Sequence, residues 1–203
     1  MDTVTTLLKE NIALGMSYEK YLETGNALLA EDKTSGSNHS EQMVKYSQLN
    51  IHRMNRLNKT IKILPDLEAI IKGIDKPIYF LIISEIWCGD AAQNVPILAK
   101  IAELNEHIQV RIVWRDENLD LMDQYLTNGG RSIPKLIIVD GTTHEELATW
   151  GPRPATAQEM VIARKKEENP EPYSEFVKKV QLWYAKDRTK SAQVELQAIL
   201  AAL

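Results

Sequence analysis

The chain is poor in the residues that staple or metallate small proteins. Its 203 residues include one cysteine, Cys88, so no disulfide forms within the chain. Its four histidines, His39, His52, His107 and His144, are scattered singly. None shares zinc-ligand spacing with the cysteine, so neither a structural metal nor another cofactor is expected. No apolar run approaches the roughly 18 residues that span a bilayer, and the first residues lack a basic stretch followed by an apolar core. A cytoplasmic location without membrane association is therefore expected, where a thiol starts out reduced. Excess positive charge is also missing: the formal net charge is −4, and phosphate backbones demand concentrated Lys and Arg, so nucleic acid is not an expected partner. Repeats and low-complexity segments are absent.

What is present reads as one globular domain. Hydrophobic residues make up 44% and charged residues 26% of the chain, which suffices for an unstapled core. Residues 1 to about 30 read as helix, with Leu7, Leu8, Ile12, Tyr18, Tyr21 and Leu22 roughly on one face and breaks at Gly15 and Gly25. Asn38, with Glu41 three residues on, reads as a capping signal for a long helix. In it Met43, Ser47, Asn50, Met54, Leu57, Ile61 and Leu64 share a side. A short helix over Asp66 to Lys72 ends at Gly73.

The centre of the chain changes period. Ile78 to Ile83 is a continuous apolar run of strand length, the pattern of a strand covered on both faces. It stops at Ser84-Glu85-Ile86-Trp87-Cys88-Gly89-Asp90-Ala91, beyond which Ala91, Ala92, Val95, Leu98 and Ala99 suit a helix and Ile108 to Trp114 a second strand. This is a βαβ unit with the cysteine at the crossover. A helix over Asp116 to Leu126 follows. Then Ile133-Pro134 leads into a strand over Lys135 to Val139, and Asp140-Gly141 turns into another around Leu147 to Trp150. A proline there belongs at the strand start, where a cis bond is common. Thr156 to Glu168, and one or two helices from Pro172 to Leu203, complete the reading.

These positions, in this order, resemble the thioredoxin superfamily over Pro77 to Glu168. Trp87-Cys88-Gly89-Asp90-Ala91 stands where that family has Trp-Cys-Gly-Pro-Cys; Pro96 lies in the following helix; Ile133-Pro134 is similar to the family's cis Ile-Pro pair; Gly151 closes the next strand. The resemblance implies a thioredoxin-like α/β fold, a mixed central sheet flanked by helices, with helical extensions at both ends. The expected division is 1–73 as an N-terminal extension, 74–168 as the core and 169–203 as a C-terminal extension, within a single structural domain. The flanking segments, including Tyr46 to Met54 and Trp183 to Asp187, are similar to those of a bacterial subgroup with added helices.

Two departures narrow the expected chemistry. Ala91 replaces the second cysteine, which removes the intramolecular resolving step. Ile82 stands where the family carries a buried carboxylate six residues before the first cysteine. The expectation is a single-cysteine thiol-redox protein. Its catalytic Cys88 forms a mixed disulfide with a protein disulfide or a low-molecular-weight thiol, and an external thiol resolves it. Trp87, Gly89, Asp90 and Ala91 form the motif, while Trp87, Ile133 and Pro134 dock the substrate. A helix N-terminus at Cys88 favours a thiolate and Asp90 opposes it, so a moderately lowered thiol pKa is expected. Asp90 is read as a first-turn residue complementing the helix dipole. The rival reading is a redox-inactive thioredoxin-fold module that binds a protein or peptide. Peroxidase chemistry of the peroxiredoxin type lacks its Thr and Arg signature.

Overall fold

The apolar run at the centre of the chain forms strand β1, Ile78–Ser84, and its residues are buried except for half-covered Tyr79. In the computed structural model, which describes residues 3–203, β1 lies inside a four-stranded sheet of order β2-β1-β3-β4. Strand β2, Ile108–Trp114, runs parallel to β1 from Ile78 opposite Ile108 to Ser84 opposite Trp114. Strand β3, Lys135–Asp140, runs antiparallel on the other side and places Leu136 opposite Ile82. Strand β4, Glu146–Trp150, pairs antiparallel with β3, with a register shift at Ile138/Val139. The sheet is thus mixed, with the βαβ crossover on one flank and a hairpin on the other.

Helices cover this sheet. At the N-terminus there are two, α1 over Thr3–Leu14 and α2 over Tyr18–Ala30. The expected break falls at Gly15, because the backbone there serves the sheet, whereas α2 runs through Gly25 without interruption. Met16 exchanges two hydrogen bonds of 2.8 Å with Ile112 and so pairs with β2. A side chain at Gly15 has no room, since a Cβ there would lie 2.8 Å from the Cβ of Arg111. The long helix, α3, spans Glu41–Thr60. It stops short of Leu64, and Ser40 rather than Asn38 precedes it; Asn38 Oδ1 instead accepts the Ser40 amide at 3.1 Å in the loop.

Helix α4 is Pro65–Lys72, with proline in its first turn, where a missing N–H costs nothing. Helix α5, Ala91–Ala102, carries Pro96, packs on β1 and β2, and contacts α3. The expected helix over Asp116 to Leu126 is shorter: a 3-10 turn at Arg115–Glu117 and α6 over Leu119–Gln124. Helices α7, Ala155–Lys166, α8, Tyr173–Asp187, and α9, Lys190–Leu200, complete the chain.

One large core runs through the sheet, α1, α2, α5 and α9, with Phe80, Leu81, Ile82 and Ile83 wholly covered. A second, small cluster of Phe176, Val180 and Tyr184 from α8, packed with Met160 and Val161 of α7, stands apart from it. That arrangement leaves α8 as a wall beside the β1–α5 corner.

Candidate functional site

The corner between β1 and α5 is held by side chains from distant parts of the chain. Ser35 accepts the Ile86 amide at 3.1 Å and Asn50 of α3 donates to the Ile86 carbonyl at 3.0 Å. Thr34 and Ser47 share a short hydrogen bond that ties this loop to α3. With both polar backbone groups of Ile86 satisfied inside the protein, the turn has no need of water.

Cys88 follows in this turn, three residues ahead of the first residue of α5, and is 9% exposed. Its thiol donates to the carbonyl of Ile133 at 3.2 Å, and the Ala91 amide points at its sulfur from 3.4 Å. The Ile133–Pro134 peptide is cis, and so is Gly151–Pro152. The expected lowering of the thiol pKa is overturned: burial first, and then the charge of Asp90, push it up to about 12. The Ala91 and Asp90 amides pull the other way without reversing this. A nearby helix start is outweighed when the sulfur is desolvated and a carboxylate sits beside it.

Asp90 does more than complement a helix dipole. Its Oδ2 takes two bonds from Arg153, 2.6 Å from Nη2 and 3.0 Å from Nε, and its Oδ1 accepts from the hydroxyl of Tyr184 at 2.8 Å. Burial and Asp90 raise the Tyr184 pKa, which keeps the hydroxyl a donor. Asn94 donates to the same hydroxyl at 3.1 Å, and Gln93 donates to Gln181 at 2.7 Å. Three polar side chains, Asp90 of the corner and Gln93 and Asn94 of α5, thereby fasten α8 against the cysteine turn.

In front of the sulfur lies a cavity of about 420 Å³, within the usual range for small-molecule sites. Trp87, Cys88, Gly89, Asp90 and Ile133 line it. Ala91 and Pro134 do not; both are buried. The carbonyl of Ile133, one of the residues expected to dock a substrate, is engaged by the Cys88 thiol. Trp87 is half-buried beneath the guanidinium of Arg115, 4.7 Å from the ring centroid.

Several lining residues escaped the sequence reading. Asn50 and Arg53 stand on the α3 face toward the cavity, whereas neighbouring His52 is exposed and takes no part. Helical spacing put Asn50 on the face shared by Met43 and Met54 and Arg53 on another side, and nothing in it said that α3 packs beside the cysteine. Arg153 sat in what read only as a Gly-Pro-Arg-Pro turn. Val177, Val180 and Gln181 come from a helix some ninety residues downstream, and no local pattern links them to Cys88. Among the described residues no group of three or more His, Cys, Asp or Glu side chains is placed to hold a metal. No helix among them is long and apolar enough to cross a membrane.

A mixed sheet in this order, with a cysteine corner opposite a cis-proline loop, defines a thioredoxin-like protein. The chain belongs to the family described as Thioredoxin, whose model matches residues 36–169 and takes in α3 as well as the sheet. Among solved structures, an HIV epitope scaffold is similar, with a TM-score of 0.57 at 16% identity, covering 93% of this chain and 99% of the scaffold. A protein of unknown function from Pseudomonas aeruginosa is similar too, with a TM-score of 0.57 at 18% identity and coverage of 91% and 97%. At these identities the likeness is one of fold. No curated protein matches the sequence.

Proposed function

We propose that this protein binds a small ligand in the cavity before Cys88, and that the cysteine acts there as a protonated, hydrogen-bonding wall rather than as a nucleophile. The observation that supports this reading is the covered sulfur, which donates to Ile133 and has its pKa pushed up to about 12. At neutral pH almost no thiolate exists to attack a disulfide. In this reading Trp87, Gly89, Asp90 and Ile133 shape the cavity, while Ala91 and Pro134 hold the corner and the loop in place behind them.

One observation favours a second reading. The cavity meets the sulfur and the Ala91 amide is aimed at it, so a thiolate exposed by movement of α8 would have a donor ready. Cys88 would then form a mixed disulfide with a protein disulfide or a small disulfide, displacing one thiolate, and an external thiol would release it. Labelling by iodoacetamide against pH separates the two. We expect slow modification through pH 8 and an apparent pKa well above that of a free cysteine, about 8.5. Insulin reduction with excess external thiol is expected to be equal for the parent and Cys88→Ser. An apparent pKa at or below the free value, together with loss of reduction in the variant, sinks the binding reading and restores the redox one.

A further inference from the structure

The cavity carries a charge pattern that its depth alone does not explain. Four arginines line it, Arg53, Arg115, Arg131 and Arg153, in a chain whose formal net charge is −4. Three are already neutralised: Arg115 by Asp116 at 2.7 Å, Arg131 by Asp123 at 2.7 Å and Arg153 by Asp90 at 2.6 Å. Arg53 is the exception among the described residues. Its Nη1 donates to Asn50 Oδ1 at 2.8 Å, and no carboxylate lies within ion-pair distance.

That guanidinium is also half-buried, and its pKa is pushed below the ordinary value by burial first and by nearby Arg56 second. Holding an unpaired cation partly out of water costs stability, and Gln at the same place removes that charge. Part of the remaining lining is apolar, beside polar groups such as Ser132, Gln181 and the Asp90 carboxylate that Arg153 neutralises. Met43 and Val161 face the cavity along with Phe176, Val177 and Val180 of α7's neighbour α8. Cation and apolar wall together form one amphipathic enclosure.

We infer that the occupant is an amphipathic monocarboxylate, with its carboxylate on Arg53 and its apolar body along α8. This rests on the binding reading above and gives it a ligand class. A planar guanidinium fork matches a carboxylate, and one uncompensated positive charge matches a single negative one. A more highly charged anion would find its further charges facing arginines that already have carboxylate partners.

Calorimetric titration of the full chain at low ionic strength, with octanoate and octan-1-ol as probes, tests it. Octanoate is expected to bind about tenfold more tightly than the alcohol, the order of a charge-assisted hydrogen bond that remains partly open to solvent. Arg53→Gln is expected to bring the two affinities together, Arg53→Lys to keep part of the difference, and Arg56→Gln to keep nearly all of it. Melting temperature supplies a second readout: without ligand, Arg53→Gln is expected to match or exceed the parent. Equal affinities in the parent, or a preference that survives Arg53→Gln, overturns the carboxylate inference alone. Failure of both probes to bind overturns it together with the small-ligand reading.

Discussion

Glu85, wholly covered three residues ahead of Cys88, accepts the Asp116 amide on Oε1 at 3.0 Å. Burial raises its pKa from the ordinary 4.5 to about 6. The folded protein therefore holds this proton more tightly than the unfolded chain. Stability from this group is complete below about pH 4.5, falls as pH rises toward 6, and above that remains lower by about 2 kcal/mol. Glu85→Gln keeps an acceptor for the Asp116 amide and removes the titration. Urea unfolding from pH 4 to 8 should show the parent losing about 2 kcal/mol relative to the variant across that window; parallel profiles would refute the assignment. At this scale the sequence spoke unevenly. Cys88 and its turn were legible because a strand pattern ended there and a helix pattern began. The state of the thiol was not, because desolvation depends on groups such as Ile133 and Asp90 that meet only in three dimensions.

Helix α8 forms one wall of the cavity. Its bonds to the cysteine corner run through Tyr184 and Gln181, and its apolar contacts belong to a cluster apart from the main core. Tyr184→Phe removes the donor to Asp90 and the acceptor for Asn94 while keeping the ring in place. We expect a loss of about 1–3 kcal/mol in the local stability of α8, since buried polar groups lose their partner. Hydrogen exchange should show faster α8 amides with β1 unchanged, and iodoacetamide should reach Cys88 sooner. Equal exchange across α8 in both proteins would argue against this fastening. The apolar stripe of α8 was visible from its periodicity, though whether one or two helices fill the C-terminal segment was not. Where the stripe docks was not, because helical period tells which residues share a face and says nothing of the surface that face meets. The same limit explains α1 and α2. Gly15 announced a break, while its cause, pairing of Met16 with Ile112, lies almost a hundred residues away.

For the molecule as a whole, the sheet and the two loops at its end act as one frame. Gly151 ends β4 at φ +104°, where a side chain is strained, and a Cβ there would collide with the Pro134 carbonyl oxygen. Gly151→Ala is expected to cost about 2 kcal/mol or more in global stability, read from the midpoint of denaturant unfolding; a shift within error would contradict it. The four strands were accessible from the succession of apolar runs and turn residues, since β1, β2, β3 and β4 each stand out in composition, while their order in the sheet was not. The mixed sheet came from the thioredoxin resemblance, because a continuous apolar run by itself points to parallel strands. That Phe176, Val180 and Tyr184 form a cluster apart from the main core has a consequence for how such a protein diversifies. Changes of size at residues 176, 177 and 180 fall outside the core of the sheet, so the lining of the cavity and the frame behind it answer to different substitutions.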